Sequence, residues 1–271
     1  MGKRRENYEA TIARKIRDGR GLGEFKSYLP WLEIRDVSSL GRSHIVVSAT
    51  VGREHHLLSD LEERVFLYAD YSPRVIDIRE QFPLFPRAET AEIAEEMGIK
   101  HPAHAGSNDV FTEDFILTLA NPSDGLLALQ VKYCSDLREE KVRCKLELQR
   151  RYFARHGIKW KLITERDLSS RVDRNLKWLR AGALEVFPRE IECEFTKRIL
   201  ESKPSDELRV AVKRAGKFVE LESEQATLLF KRLIWNHEIE IDINALIELC
   251  MPISKVALRL SEREVTNARP V

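Results

Sequence analysis

The sequence predicts an α/β protein: a mixed sheet flanked by helices, followed by a smaller, mostly helical C-terminal domain. Three observations carry this expectation. Two β-rich runs, residues 110–119 (VFTEDFILTL) and 126–134 (LLALQVKYC), are separated only by the turn residues Asn121 to Gly125, as adjacent strands of one sheet would be. Amphipathic helical patterns alternate with further strands on both sides of that pair. Beyond Arg180 the texture changes to a succession of helices.

In chain order, residues 6–17 predict a short helix, broken by Gly19, Gly21 and Gly23 before Tyr28, Pro30 and Trp31. Residues 44–49 (HIVVSA) predict a strand, and Gly52 a turn into a helix over residues 57–68. Ser59 with Glu62 three positions on has the spacing of a capping box. Leu58, Leu61, Val65, Phe66 and Ala69 form one stripe at about 100° per residue, and Glu62 falls inside it. Residues 75–82 alternate like a strand, ended by Pro83 and Pro86, and residues 90–97 form a short helix that Gly98 caps. After the paired strands come a long amphipathic helix, residues 137–156, with Gly157 as its stop, and a strand over residues 158–164. A helix over residues 167–179 closes or bridges from the first domain, which is assigned residues 1–180. In the second, 181–271, helices over 188–200, 205–215 and 223–235 (N-capped by Ser223) precede a strand over 236–244 and a last helix from about Asn244.

Composition narrows the function. A chain of 271 residues that is 43% hydrophobic and 33% charged has enough apolar matter for two modest cores and is not a disordered polymer. Cys134, Cys144, Cys193 and Cys250 lack C-x-x-C spacing, which points to neither a zinc site nor a disulfide framework and suits a reducing cytoplasm. No apolar run approaches the roughly 18 residues of a membrane span, and the N-terminus lacks a signal core, so no membrane association is expected. Nothing matches a P-loop or a G-x-S-x-G elbow. His55, His56, His101 and His104 have no cysteine or carboxylate at ligand spacing, which disfavours a zinc site. The net charge is only +1, yet residues 1–26 hold eight basic against four acidic side chains. Such a basic arm suits a track of phosphates or, equally, a solvated helix face. Glu190, Glu192, Glu194, Glu238, Glu240 and Asp242, exposed by pattern, favour protein contact over DNA reading in the C-terminal half.

The chemistry concentrates on Asp114, Gln130 and Lys132. Gln130 and Lys132 share one strand face with Ala128. An acid, an amide oxygen and a lysine in the middle of paired strands are what metal-assisted phosphodiester hydrolysis requires: oxygen donors for a hard cation such as Mg²⁺, and a lysine to orient water or offset phosphate charge. A strand turning a polar face to solvent would show the same letters. Glu62, aimed at the core, either bonds back to the Ser59 backbone or joins Asp114 and Gln130 in an oxygen cage, because a buried carboxylate is costly unless paired or metal-bound.

The order Glu62, Asp114, Gln130, Lys132 resembles the PD-(D/E)xK nuclease core, and the surrounding text is similar to TnsA, the endonuclease subunit of heteromeric cut-and-paste transposases. The stretches that carry the likeness are GRGLGEFKSYLPW (19–31), GRSH (41–44), GREHHLLSDLE (52–62), IDIREQFPL (76–84), GIKHP (98–102), QVK (130–132) and KLELQRRYF (145–153). The resemblance implies a restriction-endonuclease-like catalytic domain and a winged-helix-like C-terminal domain. It implies Glu62 and Asp114 as metal ligands, Gln130 as a ligand or positioning group through its side chain or the Val131 carbonyl, and Lys132 as the catalytic lysine. The implied cofactor is Mg²⁺, with Mn²⁺ substituting. The implied partners are double-stranded DNA at transposon ends, a transposase subunit that cuts the 3′ ends while this chain cuts the 5′ ends, and a regulatory AAA-type ATPase at the C-terminal domain. Gln130 departs from the wider class, where a second acid is usual, but glutamine before V-K is the TnsA form. Gln149 stands where TnsA has a glutamate, which puts a role for that position in doubt. Two other readings stay open: a non-cleaving DNA-binding or assembly subunit, and a stand-alone restriction or repair nuclease.

Overall fold

The structure, a computed structural model, describes residues 2–37, 42–104, 106–256 and 258–260; Gly41 of the GRSH stretch and the His104 side chain lie outside the described part. The described residues divide into two units, Met1–Leu168 and Ser169–Val271.

The first unit opens with α1 (Gly2–Arg17), which buries Ile12 against Trp31 and Val110. β1 (His44–Val47) and β2 (Glu54–Leu57) form an antiparallel hairpin. The sequence pattern places Gly52 before a helix; it instead closes this hairpin at φ +72°, and β2 is an additional strand. Its letters, EHHL, hide the period of two, because one of the two inward residues is His55. The Asp70 carboxylate accepts hydrogen bonds from Ser48 Oγ and the Ala49 and Thr50 N–H groups, tying the hairpin to the end of α2 (Asp60–Tyr71).

β3 (Val75–Pro83), β6 (Thr112–Leu119), β7 (Leu126–Val131) and β8 (Lys159–Ile163) form a four-stranded sheet in the order β3-β6-β7-β8. The first three strands run antiparallel, and β8 runs parallel to β7 after the crossover helix α4 (Glu140–Arg155), which makes the sheet mixed as expected. α3 (Arg87–Glu96) and α4 cover it with one core of Ile93, Ala94, Leu148, Tyr152 and Phe153 on Ile116 and Ala128. Burial of this kind contributes about 25 cal/mol per Å² of apolar surface and orders the sheet beneath it. A short pair, β4 (Ala103–His104) and β5 (Ser107–Asn108), interrupts the chain between α3 and β6.

The second unit holds α5 (Ser170–Leu179), α6 (Arg189–Leu200), α7 (Leu208–Phe218) and α8 (Ser223–Trp235), then β9 (Ile239–Glu240), α9 (Ile253–Val256) and β10 (Arg259–Leu260), with β9 and β10 antiparallel. The division falls at 168/169 and not at 180/181, because α5 belongs to the second unit: buried Asn175 donates to the Ile243 and Ala245 carbonyls and accepts from Ile247 N–H. The same clamp holds residues 243–247 as a loop, so the helix expected from Asn244 does not form there. The strand expected over 236–244 shortens to Ile239–Glu240, the only part that meets β10. Glu222, not Ser223, is the N-cap of α8. Glu192 is buried against Arg232 at 2.7 Å and is not exposed as its pattern suggests.

Candidate active site

α2 presents Glu62 through the cap that the sequence signals. Ser59 Oγ accepts the Glu62 N–H, and the Glu62 carboxyl reaches back in turn. Its Oε1 accepts from Ser59 Oγ at 3.0 Å; its Oε2 accepts from Leu58 N–H at 2.9 Å and from Gln81 Nε2 at 3.2 Å. Burial first, and then the charge of Asp114, raise the proton affinity of this carboxyl above the ordinary glutamate range. The carboxyl thus bonds back to Ser59 Oγ and the Leu58 N–H, where the sequence reading offers the Ser59 backbone, and this coexists with the influence of Asp114.

Asp114, buried in β6, has a crowded oxygen. Oδ2 accepts from Gln130 Nε2 at 2.5 Å and Val131 N–H at 2.7 Å, and Lys132 Nζ stands 3.6 Å away. Among the described residues no hydrogen bond ends on Oδ1. Lys132 Nζ also donates to the Val131 carbonyl at 2.8 Å, and its ammonium form is favoured foremost by the Asp114 charge. The Gln130 Oε1 accepts from Gln149 Nε2 at 2.6 Å. Gln130 thus spans Asp114 and α4, and its side-chain oxygen keeps one further acceptor position.

Gln149, whose role the sequence leaves in doubt, is fully buried here and also donates to the Thr112 carbonyl at 3.0 Å and to Glu113 Oε2 at 3.2 Å. Glu113 is itself fully buried; burial and then the Asp114 charge push its carboxyl well above the usual range. Sequence reasoning missed Glu113 and Gln81, since neither motif nor periodicity marks them. Lys145 Nζ stands 5.2 Å from the Phe111 ring centroid, on the stretch that resembles the family. The histidines serve elsewhere. His55 Nδ1 meets Glu80 Oε2 at 2.8 Å, and His101 meets Thr90 Oγ1 at 3.0 Å.

Among the described residues no three His, Cys, Asp or Glu side chains cluster as a metal cage. A cation between Glu62 and Asp114 would have two carboxylates and the neutral Val131 carbonyl for protein donors. That sparse, all-oxygen set fits Mg²⁺ or Mn²⁺, which keep waters and share phosphate oxygens, and does not fit a zinc cage.

A helix glutamate brought to an aspartate and a QxK strand on a mixed sheet defines the nuclease class. Residues 72–165 match the family model described as TnsA-like endonuclease N terminal, and residues 167–243 match TnsA endonuclease C terminal. The chain is also 36% identical over 267 residues to the Transposon Tn7 transposition protein TnsA of Escherichia coli, covering 96% of this chain and 97% of that one. The chain therefore belongs to the TnsA family of transposition endonuclease subunits. The N-terminal match begins after α2, so Glu62 lies outside it.

Proposed function

We propose that this chain is a divalent-cation-dependent DNA endonuclease subunit that hydrolyses the 5′ strands at transposon ends, with Glu62, Asp114 and the Val131 carbonyl as cation ligands, Gln130 as a positioning group and Lys132 as the catalytic lysine. The observation that carries this reading is Lys132 Nζ held 3.6 Å from Asp114 and bonded to the Val131 carbonyl, at the central strands β6 and β7, with Glu62 in electrostatic reach of both Asp114 and Lys132. When bound, Mg²⁺ supplies charge neutralisation at the scissile phosphate. Lys132 then orients the attacking water or the phosphate oxygen, and water is the nucleophile, so no covalent intermediate forms. Asp114 keeps Lys132 charged, while Gln130 and the Val131 N–H keep Asp114 from turning away.

The relative's name, a transposition protein, supports a role in transposition; on this reading the partners are a transposase subunit that cuts the 3′ strands and a regulatory AAA-type ATPase. We assign the ATPase contact to the second unit, whose succession of helices and terminal strand pair are in keeping with a winged-helix arrangement. Its acids lie mostly in ion pairs with arginines, such as Glu194 with Arg198 and Glu240 with Arg259, which leaves little net charge for phosphates. Cleavage of end-labelled transposon-end DNA by the assembled complex tests the reading. Asp114→Ala and Lys132→Ala should each lower 5′-strand cleavage by about 10²-fold or more, with circular dichroism unchanged. Undiminished 5′ cleavage in either folded variant refutes the assignment, and cutting of plain DNA by the isolated chain would favour a stand-alone nuclease.

A further inference from the structure

Gln81 lies in β3, only 2% exposed, with a left-handed backbone at φ +48°. A buried non-glycine residue in that conformation costs on the order of 1–3 kcal/mol and persists only where its surroundings hold it. Here three groups do. The Gln81 carbonyl accepts from Trp31 N–H at 3.2 Å, its Oε1 accepts from Thr112 Oγ1 at 3.3 Å, and its Nε2 donates to Glu62 Oε2 at 3.2 Å. The ladder pairs Glu80 with Phe115 and Phe82 with Glu113, which puts Gln81 opposite Asp114, and that one pair drops out of the regular register. The distortion thus sits between the two carboxylates of the site: Asp114 stands across from it, and its amide holds Glu62.

A carboxylate offers about four lone-pair positions, two on each oxygen. Leu58 N–H and Gln81 Nε2 occupy both on Oε2, and Ser59 Oγ occupies one on Oε1. One acceptor position remains, on Oε1.

We propose that Gln81 is a positioning residue of the metal site, closing Oε2 so that Glu62 binds a divalent cation through Oε1 alone. The inference rests on the reading of Glu62 and Asp114 as cation ligands. The test is calorimetric titration of Mn²⁺ into the full chain without DNA, for the wild type, Gln81→Met, Gln81→Gly and Glu62→Ala. Loss of a residue that orients a ligand typically weakens metal binding 10- to 100-fold, and that rise in Kd is expected for both Gln81 variants. Gln81→Gly removes the same amide but accepts the left-handed φ without strain, which offsets part of the lost packing; it decides the matter if Gln81→Met fails to fold. A folded Gln81→Gly protein that binds Mn²⁺ within about twofold of wild type, while Glu62→Ala does not bind, overturns the role of Gln81 alone. Unchanged binding in Glu62→Ala overturns the site itself and the inference with it.

Discussion

Single residues set the tolerances of this site. Among the described residues every hydrogen bond that Asp114 accepts ends on Oδ2, which on the proposed reading leaves Oδ1 for a cation, and Lys132 is close enough to stay charged beside it. Gly21 shows how little room surrounds the frame. At φ +80°, a Cβ there would stand 2.2 Å from Pro83 Cγ, at the end of the strand that carries Gln81. Gly21→Ala adds left-handed strain to that overlap and should cost about 2 kcal/mol or more. Urea unfolding of the folded variant checks this, and an unchanged midpoint would show that the 19–31 segment yields freely.

Among elements, one buried acid holds most of the hydrogen bonds that attach the β1–β2 hairpin to β3, beside an Arg53 bond to the Ile78 carbonyl. Glu80, fully buried, accepts from Arg53 at 2.6 and 3.0 Å, from His55 Nδ1 at 2.8 Å and from His56 N–H at 3.2 Å. Burial opposes its ionisation, but the neighbouring His55 charge and the bonds from His55 and Arg53 outweigh burial and bring it to about 2. A glutamate depressed in the folded state contributes stability that is fully present above its unfolded value and is lost as pH falls through its folded one. Glu80→Gln should therefore unfold more easily than wild type at pH 7, by roughly 3 kcal/mol or more, and the gap should narrow as the pH falls from about 4.5 toward 2. A gap that is constant with pH would show that packing, not charge, holds the hairpin.

The same scale shows what the letters reveal and what they conceal. The strands bearing Asp114 and QxK and the Ser59–Glu62 cap were legible because β-branched runs, turn residues and capping spacing are local signals. β2 was not, since its inward face carries a histidine whose Nδ1 meets Glu80, a partner 25 positions away. Nor were Glu113 and Gln81: burial of an acid and a left-handed φ come from tertiary contacts. Gln149 misled for a related reason, because its value lies in bridging Gln130, Glu113 and the Thr112 carbonyl, which no single segment displays. Among the described residues the C-terminal strand read over 236–244 pairs only at Ile239–Glu240.

Across the whole molecule, neutrality conceals a basic end. Of the arm's eight basic residues, Lys15 is buried on Asp36 and the Trp31 carbonyl, and Arg20 pairs with Glu33. Arg4, Arg5, Arg14, Arg17 and Lys26 remain exposed. If this end lies along DNA, Arg14→Ala with Arg17→Ala should weaken end binding without changing sequence preference, and should lower the slope of log K against log salt by about 0.9 per lost contact. An unaltered slope would place the DNA on another face.

The most direct measurement is anomalous diffraction from crystals of this chain soaked in Mn²⁺. The account predicts a peak bounded by Glu62 Oε1, Asp114 Oδ1 and the Val131 carbonyl, at oxygen-ligand distances of roughly 2.0–2.3 Å. Saturating Mn²⁺ with no peak between Glu62 and Asp114 would contradict it.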